Sequence, residues 1–527
     1  MSRMSSEDRL VQQELERQRK KNAKKKSKSS ESVTNRYSGE QNRSVNNDKQ
    51  IKKDDKAKKI EERKNNNELM RTTTFFAVLF FSMVCYYAYF LATDSKIIIN
   101  NSYNKRIATY ANTIIRGKIY TEDNECIAFT ESSEGTDKRI YPYNELYCHV
   151  IGTNSLERGK TGIEKLCDYE MLTSNINPIL KAVYEFKGQK CLGNDVVTTL
   201  NSEIQQYAYD ALGDNDGAVV VMDSDTGAIL AMVSKPDYNP NDLEALWEEI
   251  DNQDDTENKS FLLNRATQGK YTPGSIFKIF TTLEYLRQNN YKDEFLFYCD
   301  GEEHNIKCYN GSVHGNENLT DAFAYSCNGA FATIGYDLNM DRMNEDMQAL
   351  LFNSKLPIDM EYTKSVFDVN NDSSVFDKTQ SAIGQGVTTV SPMHMAMLVQ
   401  AIAHDGMMMK PYVVSEIKGY NGATLEEYKP TEYKRMFTKK ESTMLKTYME
   451  AVVEYGTATN LNSDKYKCGG KTGTAQIDEN DNVNSWFVGY GKNDNKNITV
   501  SVCIENVPDG SVKAVNSAQY IFDKCFE

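Results

Sequence analysis

Eighteen consecutive residues, Phe75 to Ala92 (FFAVLFFSMVCYYAYFLA), carry no charge, and they divide a chain of 527 residues into two unlike parts. About 20 apolar residues span a bilayer as a helix, and with Thr72–Thr74 leading into it the run is long enough. Tyr86, Tyr87 and Tyr89 lie near its far end, where amphipathic rings favour the membrane interface. A buried core helix is the alternative use of such a run. A cleaved signal sequence fits poorly, because the basic segment ahead of it is very long and no small-x-small site follows. The reading is a single-pass signal anchor over residues 72–92, with the basic side in the cytoplasm and residues 93–527 outside.

The charge pattern supports that division. The whole chain has a net charge of −14, but residues 1–71 hold 21 Lys/Arg against 12 Asp/Glu. The remainder is therefore strongly acidic, which argues against a general nucleic-acid binder. The first 71 residues are rich in Lys, Ser, Asn, Glu and Gln and nearly free of aromatic residues, a composition that cannot offset the entropy of ordering. They are expected to be disordered. A helix around Leu10–Lys26 is conceivable but has no broad apolar face. This tail either binds anionic lipid or a cytoplasmic partner, or only sets topology.

The outer 435 residues exceed one core, so at least two folded units are expected. Residues 93–194 are mixed in pattern and read as a membrane-proximal module. From Asp195 to the end the pattern sharpens. Gly217–Met222 and Ala228–Val233 are β-rich runs joined by the turn residues Asp223–Gly227, a hairpin. Trp486–Tyr490 and Ile498–Ile504 form a second hairpin, preceded by a strand at Gly470–Ile477. Gly274–Gln288 is apolar nearly all round, as in a buried helix. Ser391 caps another helix, with Pro392 at its first position and Asp405-Gly406 closing it. Strands from both ends of the domain with helices between them predict an α+β architecture, an antiparallel sheet covered by helices.

Ten of the eleven cysteines lie outside the membrane run. Cys299 and Cys308 flank a short polar loop and could close a disulfide. The five histidines, His149, His304, His314, His394 and His404, show no metal-ligand spacing, so no metal site and no cofactor are expected.

Three short elements carry chemistry. Pro273-Gly274 mark a helix start, so Ser275 and Lys278 fall at i and i+3 on one face of its first turn. A Ser hydroxyl needs an adjacent base, and a buried Lys can serve once its pKa is depressed. The Ser275 N–H, unpaired at the helix start, is free to hold an oxyanion. The second element is Ser326-Cys327-Asn328, after the helical Leu319–Tyr325. Here a second hydroxyl can relay a proton and an amide can hold substrate or Lys278. The third, Lys471-Thr-Gly-Thr474 on the C-terminal strand, offers a cation and hydroxyls to a carboxylate, and Gly473 permits close backbone approach. Each element alone has an ordinary structural explanation, such as a helix cap at Ser326 or a turn at Lys471.

Together and in this order they resemble the three-part signature of penicillin-binding proteins and serine β-lactamases. The outer region is similar to class B penicillin-binding proteins, the peptidoglycan D,D-transpeptidases, and in particular to their short subgroup typified by penicillin-binding protein A. Asn264-Arg-Ala266, Gly384-Gln-Gly386, Ser485-Trp-Phe-Val-Gly489, Gly217-Ala218 and Pro236-Asp-Tyr-Asn-Pro-Asn241 look like family landmarks. Arg116-Gly-Lys-Ile119, Arg139-Ile-Tyr-Pro142 and Thr161-Gly-Ile-Glu164 look like that subgroup's membrane-proximal module. The resemblance covers about residues 97–527 and implies a transpeptidase domain of five antiparallel strands with a helical subdomain.

It also implies roles. Ser275 is then the nucleophile toward stem peptides ending in D-Ala-D-Ala, Lys278 its base, and Ser326 the proton relay. Asn328 orients substrate, and Lys471, Thr472, Gly473 and Thr474 bind the terminal carboxylate. The N–H groups of Ser275 and Thr474 form the oxyanion hole. β-Lactams acylate Ser275, and a polytopic membrane glycosyltransferase is the implied partner. About a hundred residues between the anchor and Asp195 are too few for a glycosyltransferase domain, which disfavours a bifunctional class A enzyme. The competing readings are a D,D-carboxypeptidase, a class D-like β-lactamase, a β-lactam sensor and a non-catalytic scaffold of wall synthesis.

Overall fold

The structure is a computed structural model that describes residues 41–93, 113–133, 136–155, 158–243, 245, 247–248, 261–477 and 482–527. The conceivable helix at Leu10–Lys26 lies outside these residues, as does the start of the 93–194 module. The chain forms two compact units, Met1–Ser95 and Lys96–Glu527.

In the first unit one helix runs across Gln41–Thr93, and it holds the single stretch among the described residues that is long and apolar enough to cross a membrane. Its side chains from residue 53 to 89 are exposed, Phe75, Phe80 and Phe81 included. Such a surface is costly in water and natural in lipid. The hydroxyls of Thr72, Thr73 and Thr74 donate to the carbonyls of Glu68, Leu69 and Met70 at 2.9, 2.8 and 2.8 Å, so the polar lead-in satisfies itself within the helix. The helix also runs through residues 41–71, which corrects the expectation of disorder there. The costly step is the first turn. Once the apolar run is helical, extension backward needs only modest local support, which Asp54/Lys58 and Asp55/Lys59 at i,i+4 provide.

The second unit is built on a five-stranded antiparallel sheet. Its strands are β1 (Gly217–Asp223), β2 (Ile229–Lys235), β3 (Lys467–Gln476), β4 (Asn482–Lys492) and β5 (Asn497–Pro508), in the spatial order β2-β1-β5-β4-β3. The β1–β2 turn is locally determined. Asp223 Oδ1 accepts from the Asp225 and Thr226 N–H groups and from the Thr226 hydroxyl at 3.0, 2.7 and 2.7 Å.

Six helices pack on or beside this sheet: α1 (Ser202–Leu212), α2 (Lys278–Gln288), α3 (Asn328–Asp337), α4 (Pro392–Ala403), α5 (Lys439–Glu454) and α6 (Ala514–Cys525). All twelve residues of α4 are buried, and the Ser391 hydroxyl caps its first turn. α4 lies against β1, β4 and β5, while α1 and α6 pack on each other and on the sheet. Further helices at Leu319–Ala324, Met340–Ala349 and Val375–Ala382 accompany α3 in a helical subdomain.

A second sheet, of six strands, runs Thr424–Glu427, Val414–Lys418, Asp195–Thr198, Ile119–Tyr120, Cys126–Ser133, Thr136–Ile140. Asp195–Thr198 lies parallel to Ile119–Tyr120 and antiparallel to Val414–Lys418. The boundary expected at residue 194 therefore falls inside a sheet to which both sides contribute. Beneath it the three runs marked in the sequence meet. Arg116 Nε and Arg139 Nε bind the two oxygens of Glu164 at 2.6 and 2.7 Å. Arg116 also pairs with Asp168, to which Lys160 Nζ adds a contact at 2.5 Å. Burial alone would raise the Glu164 pKa, but the two guanidiniums more than offset it and hold the carboxyl at about 2.

Candidate active site

Ser275 sits in a 3-10 turn, Gly274–Phe277, that leads directly into α2 at Lys278. The expected first helical turn is thus tighter than an α-turn, and residues i and i+3 of a 3-10 turn eclipse. Lys278 follows that turn directly, as the first residue of α2. The turn is locked from two sides. The Gly274 N–H donates to the Gly384 carbonyl at 2.8 Å, and a Cβ on Gly384 would fall 1.9 Å from the Gly274 oxygen. On the other side β3 passes so close that a Cβ on Gly473 would lie 3.0 Å from the Pro273 oxygen. Trp486 Nε1 donates to the Thr272 carbonyl at 3.0 Å and fixes the approach to the turn.

Lys278 is fully buried, and the three N–H groups of its ammonium meet three neutral acceptors. These are the Ser326 carbonyl at 2.7 Å, the Ser326 hydroxyl at 3.2 Å and Asn328 Oδ1 at 2.7 Å. Asn328 Nδ2 in turn donates to the Lys307 carbonyl at 2.9 Å, which orients the amide. Burial lowers the Lys278 pKa to about 8. Lys471 is also fully buried, with its Nζ 3.2 Å from the Thr472 carbonyl. Burial and the charge of Lys278 push its pKa well down. Among the described residues neither lysine forms an ion pair with a carboxylate. Ser326 holds a left-handed backbone conformation, φ 61°, that turns its hydroxyl and carbonyl toward Lys278.

Ser275, Ser326, Asn328, Thr472, Gly473 and Thr474 all line one cleft of about 390 Å³. The structure thus brings together the residues singled out in the sequence, with Lys278 and Lys471 buried beside that cleft. Thr457 was not singled out. Its hydroxyl lies 2.6 Å from that of Thr472, and it reaches the cleft from the loop after α5, where its neighbours carry no motif.

One expectation fails at the cleft. Cys299 and Cys308 do not bond; their sulfurs stand 3.6 Å apart, and all eleven cysteines are free. Around them gather Cys327 and His314, so the absence of metal-ligand spacing around the histidines does not hold at His314. The chain positions 299, 308, 314 and 327 match no compact ligand motif. The pairing of Leu296–Cys299 with Gly315–Asn318 sets Cys299 beside His314, and the hairpin of Glu302–Glu303 with Ile306–Lys307 returns the chain to Cys308.

Comparison with known proteins fixes the class. The penicillin binding protein transpeptidase domain matches residues 217–527, and the penicillin binding protein A dimerisation domain matches residues 116–196. The chain belongs to the penicillin-binding protein transpeptidase family. It is 29% identical over 434 residues to the peptidoglycan D,D-transpeptidase PbpA of Mycolicibacterium smegmatis, spanning 77% of this chain and 87% of that one. Among solved structures, the D,D-transpeptidase domain of a peptidoglycan glycosyltransferase from Eggerthella lenta superposes with a TM-score of 0.70 at 30% identity. The match covers 79% of this chain and 98% of the other. Penicillin-binding protein A from M. tuberculosis, as an imipenem acyl-enzyme, shares the fold at TM-score 0.71 and 24% identity, over 80% of this chain and all of that one.

Proposed function

We propose that this protein is a membrane-anchored peptidoglycan D,D-transpeptidase that works through an acyl-enzyme on Ser275. The observation that carries the reading is the buried Lys278 ammonium, hydrogen-bonded by the neutral groups of Ser326 and Asn328, one 3-10 turn from a cleft-lining serine. With a pKa of about 8, a useful fraction of Lys278 is neutral near pH 7 and can take the Ser275 proton.

Ser275 Oγ attacks the carbonyl of the penultimate D-Ala. The N–H groups of Ser275 and Thr474 receive the oxyanion, each such donor being worth about 10²–10³ in rate. Collapse expels the terminal D-Ala, whose amine takes the proton from Lys278 through the Ser326 hydroxyl. Lys471, Thr472 and Thr474 hold the terminal carboxylate, and Asn328 orients the peptide. The amine of a second stem peptide then attacks the ester, passes its proton back through the same groups and frees Ser275. A β-lactam follows the first half of this path, but its leaving amine stays tethered, so the ester persists.

The N-terminal helix anchors the chain with residues 93–527 outside the cytoplasm, and a polytopic glycosyltransferase is the partner proposed for the anchor and the 93–194 module. Replacing the anchor with an unrelated span while cross-linking in cells survives would argue against that partner.

The test of the reaction is fluorescent-penicillin labelling of the wild type beside Ser275→Ala, with the adduct located by peptide mass spectrometry. The expected result is an ester on Ser275 that vanishes in the variant. With a D-Ala-D-Ala peptide and an amine acceptor, a cross-linked product supports the transpeptidase. Free D-Ala without it indicates a carboxypeptidase.

A further inference from the structure

We propose that Cys299, Cys308, His314 and Cys327 form a closed tetrahedral zinc site that clamps the Ser326-Cys327-Asn328 loop. One ligand atom from each of the four residues lies within 4.8 Å of all the others. The sulfur of Cys308 stands 3.6 Å from that of Cys299 and 3.8 Å from that of Cys327, and the Cys299 sulfur is 3.3 Å from His314 Nδ1. Around a zinc ion with normal bond lengths, tetrahedral edges measure about 3.7 Å between sulfurs and about 3.5 Å from sulfur to nitrogen. These three edges match those of a coordination tetrahedron and the other three lie within 4.8 Å, whereas a bonded sulfur pair needs about 2.05 Å.

The surroundings suit a metal. The three cysteines are buried, and His314 is partly buried and lines the catalytic cleft. The N–H of Ala330 donates to the Cys327 sulfur at 3.4 Å, and the N–H groups of Asn328 and Gly329 lie against that of Cys308, support that thiolate ligands require. Glu317, 3% exposed, has its carboxyl against the Cys327 thiol, and among the described residues neither of its oxygens has a nitrogen or oxygen partner. The segment needs a staple too. Leu296 and Tyr298 are exposed on its strand, and the chain from 301 to 315 wraps the cluster through left-handed residues at Gly301, His304, Asn305, Asn310, Gly311 and Gly315.

Three thiolates and one imidazole select a borderline-soft divalent ion, and four protein ligands leave no open position, so the role is structural. Binding releases the three thiol protons to solvent and oxidises nothing. Cys327 lies between Ser326 and Asn328, the two residues that hold Lys278. Fixing its sulfur fixes both.

The experiment uses the full chain, untagged with histidines, purified in detergent from zinc-supplemented cells. Elemental analysis should find about one zinc per chain after gel filtration. Cobalt(II) exchanged into it should show the ligand-field bands of tetrahedral thiolate coordination. Cys299→Ser/Cys308→Ser should lower the metal content about tenfold or more, while Cys503→Ser, buried in β5 away from the cluster, should retain it. If the double variant does not fold, His314→Ala and the wild-type count decide. Folded wild type with less than about a tenth of a zinc per chain, or with a Cys299–Cys308 disulfide by mass spectrometry, overturns the site. Penicillin acylation by the zinc-stripped protein should fall about tenfold, and an unchanged rate overturns the clamping role. The metal count needs no transpeptidase activity, so zinc without a Ser275 adduct would defeat the proposed reaction and leave the site standing.

Discussion

Two clusters of buried or half-buried cations in this molecule are finished in opposite ways. Beneath the six-stranded sheet, Arg116, Arg139 and Lys160 face Glu164 and Asp168, and every carboxylate is matched. Beside the cleft, Lys278 and Lys471 are more deeply buried, yet among the described residues their ammonium groups hydrogen-bond to carbonyls, a hydroxyl and an amide rather than to a carboxylate. The first arrangement has used its electrostatics to hold a fold together. The second keeps cations under strain, ready to give up a proton or to accept an anion that arrives from outside. A buried cation with its counter-ion beside it reads as architecture, and one without it reads as chemistry.

The largest test of that contrast is Lys278→Arg. An arginine keeps the charge but cannot lose its proton, so the rate of penicillin acylation at pH 7.5 should fall by about 10²–10⁴. In the wild type that rate should climb with pH and level off above about 8, as Lys278 becomes neutral. Its linkage to stability has a definite sign. Between about 8 and the ordinary lysine value the unfolded chain holds a proton that the folded chain lacks, so stability rises with pH across that window.

The matched cluster should answer differently. Glu164→Gln leaves two guanidiniums short of an anion, and a loss of about 3–5 kcal/mol is expected by urea denaturation. Acid should act in the same direction. Glu164 titrates at about 2 folded, against an ordinary value of 4.5, so its contribution is complete above about pH 4.5 and disappears as pH falls toward 2. The smallest effect belongs to an exposed pair, Lys165 with Glu361, where Lys165→Ala should change stability by less than about 1 kcal/mol. A Lys165→Ala cost as large as that of Glu164→Gln would break the argument that burial separates the two clusters.

Much of this was readable in the residues, and the limits were physical. The β1–β2 and β4–β5 hairpins announced themselves through β-rich runs and turn chemistry, and Ser391-Pro392 marked the start of α4 because capping is local. The three motifs were legible because Ser275/Lys278 and Ser326/Asn328 are neighbours in sequence. Thr457 was not, since its partner Thr472 lies across a loop and carries the only signal. Nor were the Cys299, Cys308, His314 and Cys327 neighbours, which are spread over 29 positions and meet in the fold. The helical extension over residues 41–71 escaped because composition measures the capacity to bury surface, and a helix continued from a membrane run buries none.

The shared six-stranded sheet also bears on the order in which the chain acquires its form as it leaves the ribosome. Asp195–Thr198 stays an open edge until Val414–Lys418, more than two hundred residues later, has been made and brought back to it. The six-stranded sheet therefore closes only once residues 414–418 exist, after the Ser275 and Ser326 segments of the cleft have been synthesised but before its Thr472–Thr474 strand. A ribosome stalled between residues 200 and 410 would display that raw edge to any strand nearby, and the growing chain needs either speed or a chaperone to cover it.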